Sequence, residues 1–490
     1  MINKHSQKIF NNSILYSAGA VLSKAVSFFL VPIYTYCLSK EDYGISTTIT
    51  TFVSSFGIVV MLSLRAAMMR FYNGYTESER RRFAGTILST VSFNAVIACM
   101  LLCVFHRWYS PFFFKDVAFF PCVFFGVLSL GAESIYLVYQ SLLQARQNAG
   151  AYSLNSVIYL LVHSICVILF IAVFKMGALG VVLSNFVTNT CLATYGVMRM
   201  LNRKLVDVCF DRAMFKTAIL YSLPILPHNL SNDINVYAIK MVVNHYLGYA
   251  LSGIYALALQ FSTIINLVQS SVNLAFRPWF VEQMQCGEEG RRQIKHMSCM
   301  IMALLSFCAV CICVFSKEII FLMAASEYHE AWRLVPIIVM AQLITFIYFS
   351  HVQTLMYNTK ASKFTFVCSL SGLIVNVGIS VWLAKPLGIY GVLVGQIVSK
   401  TVLSAIAVVM SNCVEKVDFG LKYMIAVVIL ASVMAVAGFG ISMWDAGRIG
   451  LGMMMAKMLI IVAAAAVFLL PYRNDYTALV QGVLKRKKGE

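Results

Sequence analysis

Apolar residues fill this chain in runs of about 19 to 27 positions, one after another, and each run is long enough to cross a ~30 Å hydrocarbon core as a helix. The runs lie at Ile14–Cys37, Tyr43–Leu64, Ala84–Phe105, Val117–Leu143, Ala151–Phe174, Ala178–Met198 and Ala218–Val243. They continue at Leu251–Leu274, Met297–Phe315, Leu334–Leu355, Phe364–Leu383, Gly391–Met410, Tyr423–Met443 and Leu451–Leu470. The pattern predicts an all-α integral membrane protein of about 14 transmembrane helices. Little chain is left outside the bilayer, so function is expected in the helix bundle or along its two faces.

Basic residues test this count, because cytoplasmic segments carry the excess of Lys and Arg. One set of connections holds Lys4, Lys8, Arg65, Arg70, Arg80, Arg81, Arg82, Arg146, Arg199, Arg203, Lys204, Arg277, Arg291 and Arg292, with Lys485, Arg486, Lys487 and Lys488 in the tail. The alternate set holds few, among them Lys40, Arg107, Lys175, Lys317 and Lys385, a ratio of about three to one. An even number of spans with both termini in the cytoplasm is expected.

The two halves echo each other. Ile14-Leu15-Tyr16-Ser17 opens the first span and Ile219-Leu220-Tyr221-Ser222 the seventh; Tyr43-Gly44-Ile45 and Gly253-Ile254-Tyr255 open the spans that follow. A repeat six spans apart predicts two six-helix lobes related by a pseudo-twofold axis, residues 1–204 and 205–415. Residues 416–490 then form two extra transmembrane helices and a basic cytoplasmic tail. Pro32 in the first span, and Pro224 and Pro227 in the seventh, predict bends at the start of each half.

Composition narrows the class. The chain is 60% hydrophobic and 12% charged, against roughly 25% charged in soluble domains, which excludes a large soluble catalytic domain. The net charge of +18 fits cytoplasmic loops facing anionic lipid, and no soluble basic module exists to bind nucleic acid. Most of the 14 cysteines sit in apolar runs as small hydrophobes, without metal-ligand spacing.

The segment from Pro32 to Ile45, PIYTYCLSKEDYGI, and Met69-Arg70-Phe71-Tyr72 after the second span resemble the polysaccharide-transporter (Wzx-like) branch of the multidrug/oligosaccharidyl-lipid/polysaccharide exporter superfamily. Leu223-Pro224-Ile225-Leu226-Pro227-His228 and Leu247-Gly248 agree with that resemblance, which covers nearly the whole chain. It implies two rocking lobes that flip an undecaprenyl-pyrophosphate-linked oligosaccharide from the cytoplasmic to the periplasmic leaflet of the bacterial inner membrane. Polymerase and chain-length proteins of the same pathway are implied partners, and H+ or Na+ a possible coupling ion, with no other cofactor. One departure stands out: where many relatives carry an acidic-basic pair near the end of span seven, this chain has Ile239-Lys240.

Such a cargo needs cations for the diphosphate, polar groups for the glycan and apolar surface for the tail. Ionisable residues inside spans are costly and usually face a cavity or a partner. Lys24, Lys240 and Lys400 are the cavity candidates, with Asp233 and Glu133 for coupling; Lys457 reads instead as a snorkelling or salt-bridged lysine. Arg65, Arg70 and Arg277, at the cytoplasmic ends of equivalent spans, could form a phosphate-receiving rim or be ordinary positive-inside charge. The strongest signal is His228-Asn229-Leu230-Ser231-Asn232-Asp233-Ile234-Asn235 in span seven, too polar to face lipid. Asn185, Asn189, Gln260, Asn266 and Gln269 extend the polar lining. Competing functions are a cation-coupled drug antiporter, which would need a dominant acid, and a lipid II flippase. A membrane glycan polymerase would be expected to bring a large external loop, and none is present.

Overall fold

The computed structural model describes residues 28, 30–358, 361, 363–444 and 451–477, and among these it is helical with no strand. Lys24 and the tail 485–488 lie outside them. Twelve of the described helices are long and apolar enough to cross a membrane. One of them, 60 residues long, contains both the seventh and the eighth apolar runs, and most of the first run is outside the described residues, so the count agrees with about 14.

Packing divides the chain into two compact units, one formed by residues up to Ala256 with Asn376–Val392, the other by Leu257–Val375 with Leu393 onward. In the first unit α1 (Val31–Cys37) has Pro32 in its first turn, where the missing N–H costs nothing. The next helix, α2 (Lys40–Met61), starts at Ser39, whose side chain accepts from the Asp42 N–H, and Glu41 and Asp42 complement its dipole. Leu62 and Ser63 turn left-handed before α3 (Leu64–Phe71). A reciprocal Thr76/Glu79 capping box then opens α4 (Glu77–Val104), followed by α5 (His106–Phe113). The remaining helices of the first half are α6 (Phe124–Ala145), α7 (Ala149–Val167) and α8 (Gly177–Asn202). The core helix is α6, packed most extensively on α8 and α4, with α2 across both α6 and α8.

The seventh run breaks where its prolines predict. Helix α9 (Arg212–Ser222) ends, residues 223–225 form a turn containing Pro224, and α10 (Leu226–Gln285) begins. Inside α10 the backbone leaves helical geometry at Gly248 (φ 84°, ψ 167°), a conformation suited to glycine, so a single residue separates two helical arms.

The first arm runs antiparallel to α2 and is stitched to it along nearly its whole length. Asn229 Nδ2 donates to Ser63 Oγ at 3.3 Å, Ser55 Oγ to the Asp233 carbonyl at 3.0 Å, and Asn244 Nδ2 to Thr48 Oγ1 at 2.9 Å. Just past the break the main chains themselves touch. A Cβ on Gly44 would collide with the Tyr249 carbonyl, and a Cβ on Gly253 with the Lys40 carbonyl. These glycines open the second span of each half in the sequence repeat.

In the second unit α11 (Gly287–Val314) is the centre, followed by α12 (Ser316–Met323), α13 (Val335–Tyr357), α14 (Phe364–Leu387), α15 (Ile389–Val414), α16 (Leu421–Trp444) and α17 (Leu451–Phe468), with 376–392 of α14 and α15 belonging to the first unit. The two extra helices α16 and α17 pack on α11 and on each other. They are pinned at one end by Lys317 Nζ donating to the Ser442 carbonyl (2.9 Å) and by a Lys457–Glu318 ion pair, which realises the salt-bridged reading of Lys457. Arg291–Glu415 (2.7 Å), Lys295–Asp418 (2.7 Å) and His296–Asp475 (3.1 Å) tie α11 to neighbouring segments at the other.

Candidate functional site

Lys240 is 6% exposed, on the α10 arm that faces α2. Its Nζ donates to the Thr47 carbonyl at 2.8 Å and to Thr51 Oγ1 at 2.7 Å. Both partners are neutral oxygens, so Lys240 is hydrogen-bonded without being paired to an acid. Thr51 Oγ1 donates in turn to the Thr47 carbonyl, which is why two threonines one helical turn apart fit this lysine. Asp233 does not pair with Lys240; its main-chain carbonyl serves the seam, and its side chain is half-buried.

The polar run of α10 has divided duties. Asn229 bonds Ser63 in the turn after α2, while Asn235 Oδ1 accepts from Asn376 Nδ2 at 2.9 Å, which brings α14 to the same arm. Ser231 is spent locally on the Pro227 carbonyl. His228 is half-buried, and the Asn232 side chain lies outside the description. Span seven is therefore polar in large part because it is an interhelical seam, where hydrogen bonds replace the missing hydrophobic drive between helices in lipid. Gln269 likewise pairs with Gln342 of α13 through two hydrogen bonds, at 3.0 and 2.9 Å.

Lys400 is half-buried on α15, with no hydrogen-bond or ion-pair partner among the described residues. Arg65 and Arg70 are exposed near the end of α2, Arg65 donating to Gln144 Oε1 at 3.1 Å. Arg277 is exposed on the second arm of α10.

Glu133 sits on α6 beside two cavities of about 200 and 190 Å³, and both are also lined by Tyr159 of α7. Tyr136 and Tyr159 stack at 5.4 Å. Thr47, Thr51, Asn244 and Asn376 were not singled out by sequence reasoning; the hydroxyl-rich run Ser46-Thr47-Thr48-Ile49-Thr50-Thr51 within a membrane span was a usable signal.

Twelve long apolar helices among the described residues, together with a buried lysine and an acid-lined cavity, define a multi-pass membrane protein. The comparisons agree: residues 9–284 match the family described as polysaccharide biosynthesis protein, and the chain belongs to that family. The "Lsg locus putative protein 1" of Haemophilus influenzae is 21% identical over 380 residues, covering 76% of this chain and 90% of that protein. An uncharacterized membrane protein of the same organism is 20% identical over 375 residues, covering 75% and 88%. Among solved structures, the lipid II flippase MurJ in an inward closed conformation matches with TM-score 0.70 and 14% identity over 94% of this chain and 99% of that one. A mutant of the Vibrio cholerae MATE transporter VcmN matches with TM-score 0.58 and 12% identity over 83% and 96%. The fold is that of the exporter superfamily, whose members here are transporters and flippases rather than enzymes.

Proposed function

We propose that the protein flips an undecaprenyl-diphosphate-linked oligosaccharide from the cytoplasmic to the periplasmic leaflet of a bacterial inner membrane, serving surface polysaccharide synthesis. The observation that carries this reading is Lys240, a buried lysine inside a membrane span with no acidic partner among the described residues, in a polysaccharide-biosynthesis family member. A diphosphate leaving water needs positive potential along its path; Lys240 and Lys400, which have no acidic partner among the described residues, supply it together with Lys24 of the first span. His228, Asn229, Asn232 and Asn235 offer hydrogen bonds to sugar hydroxyls once α2 and α10 part. Arg65, Arg70 and Arg277 receive the diphosphate at the cytoplasmic face. The lobes 1–204 and 205–415 alternate in access, both termini are cytoplasmic, and H+ or Na+ acting through Asp233 or Glu133 drives the cycle. Polymerase and chain-length proteins take the product.

The likeness to MurJ supports a second reading, lipid II as cargo, which shares the prenyl diphosphate. The test is translocation of each lipid in proteoliposomes, with protein levels checked. Lys240→Ala cuts flipping and Lys240→Arg retains part of it. Full activity in Lys24→Ala, Lys240→Ala and the double variant overturns the cationic path.

A further inference from the structure

The two cavities at Glu133 are the ends of one track. Gly126, Ser129, Glu133, Tyr136 and Gln140 recur every three or four residues, so they form one stripe on α6. At ~1.5 Å per residue the stripe runs about 21 Å, much of a ~30 Å hydrocarbon core. The first cavity extends from Glu133 past Gln140 to Arg65, beyond the far end of α2. The second extends from Glu133 past Ser54 and Thr50 to Ile49, nearer the start of α2. Glu133 is where they meet, halfway along the stripe.

The lining asks for water. Gln140 and Asn189 are 6% and 2% exposed, and their oxygens Oε1 and Oδ1 have no partner among the described residues. Their amide nitrogens are already engaged, Gln140 with Tyr136 Oη at 2.5 Å and Asn189 with Ser129 Oγ at 3.1 Å. Buried acceptors left open beside a polar cavity of this size are sites for bridging waters, and each cavity holds several at ~30 Å³ apiece. Glu133 has no cationic partner among the described residues. Among the described residues, the titratable and charged groups around it are Tyr136 on α6, Tyr152 and Tyr159 on α7, His163 stacked on Tyr159, Tyr34 of α1 against His163 at 3.4 Å, and Arg65 at one mouth, while α8 contributes the amides Asn185 and Asn189. Oxygens strung along a track do not converge on one centre as a sodium cage does.

We propose that Glu133 is the proton-carrying group of this transporter, reached by water from one face through the cavity toward Arg65 and from the other through the cavity toward Thr50. Loading transfers a proton from hydronium to a Glu133 carboxylate oxygen and leaves water; unloading returns it to water in the opposite cavity. The proposal rests on the transport reading above, and it selects the proton over sodium and Glu133 over Asp233.

Dicyclohexylcarbodiimide, which modifies protonated carboxyl groups in apolar surroundings, is applied to the full-length protein in proteoliposomes from about pH 5.5 to 9. Modification is expected at Glu133 by peptide mass, its rate falling toward tenfold per unit at the alkaline end. Ser54→Leu and Gln140→Leu each slow it by obstructing one cavity. In the flipping assay an imposed pH gradient accelerates the wild type, Glu133→Gln loses that response and Glu133→Asp keeps part of it. Absence of Glu133 modification across the range, or a gradient response in Glu133→Gln equal to wild type, overturns the proposal. If neither lipid is flipped by the wild type, the transport reading fails while the labelling still decides the role of Glu133.

Discussion

Two buried lysines meet the same problem by different means. Lys457, 1% exposed on α17, is cancelled by Glu318, so the pair adds no net charge to the membrane interior. Lys240, 6% exposed on α10, is held by a carbonyl and a hydroxyl and has no acidic partner among the described residues. The first arrangement fixes one helix to another. The second also fixes helices, but through neutral oxygens, so no acid is spent on the lysine. Burial alone does not distinguish the two arrangements; the charge of the partner does.

The contrast is broken most severely by Lys457→Met. Removing one member of a buried pair costs on the order of 3–5 kcal/mol, and the variant is expected to unfold at markedly lower temperature in detergent. Adding Glu318→Gln restores most of the loss, and flipping by the double variant stays near wild type. A thermal melt that the double variant does not improve would show that the pair is not what limits α17.

Thr51→Val sharpens the other side. It removes one of the two acceptors of Lys240 at a cost of about 1 kcal/mol. Reaction of Lys240 with an amine reagent, followed by peptide mass, is expected to speed up, whereas Lys457 reactivity is unchanged. Equal reactivity of Lys240 in Thr51→Val and wild type would mean that the Thr47 carbonyl suffices.

The smallest effect belongs to the exposed counterpart. Asp418, in the segment before α16, is held below the usual carboxylate range by its hydrogen bond to Lys295. A depressed folded value contributes stability above the unfolded value near 4, and that contribution is lost as pH falls through the folded value. Asp418→Asn should therefore shift the melting temperature slightly at neutral pH and not at strongly acidic pH. Both side chains are about half exposed or more, 51% and 65%, so the shift is close to the detection limit.

The spans were legible because a ~30 Å apolar solvent requires about 20 apolar residues in sequence, a local requirement. The break before α10 was legible for a local reason too, since Pro224 imposes it. The polar run from His228 to Asn235 was visible in the sequence as too polar to face lipid, yet its partners were hidden. Ser63, Ser55 and Asn376 lie 166, 178 and 141 residues from the groups they bond, and no spacing rule connects them. Glu133 was visible as an intramembrane acid; the stripe of Ser129, Tyr136 and Gln140 beside it needed only the helical period, whereas Tyr159 and Asn189 came from other helices.

At Gly44 and Gly253 the contact is made of main chain alone, so mutation has no graded dial there. Polarity, charge and size all arrive with the same first atom, and that atom is the one excluded. A saturation library selected for function should show two blank positions, one in each half of the repeat. Any escape has to come through a change elsewhere that moves a whole helix.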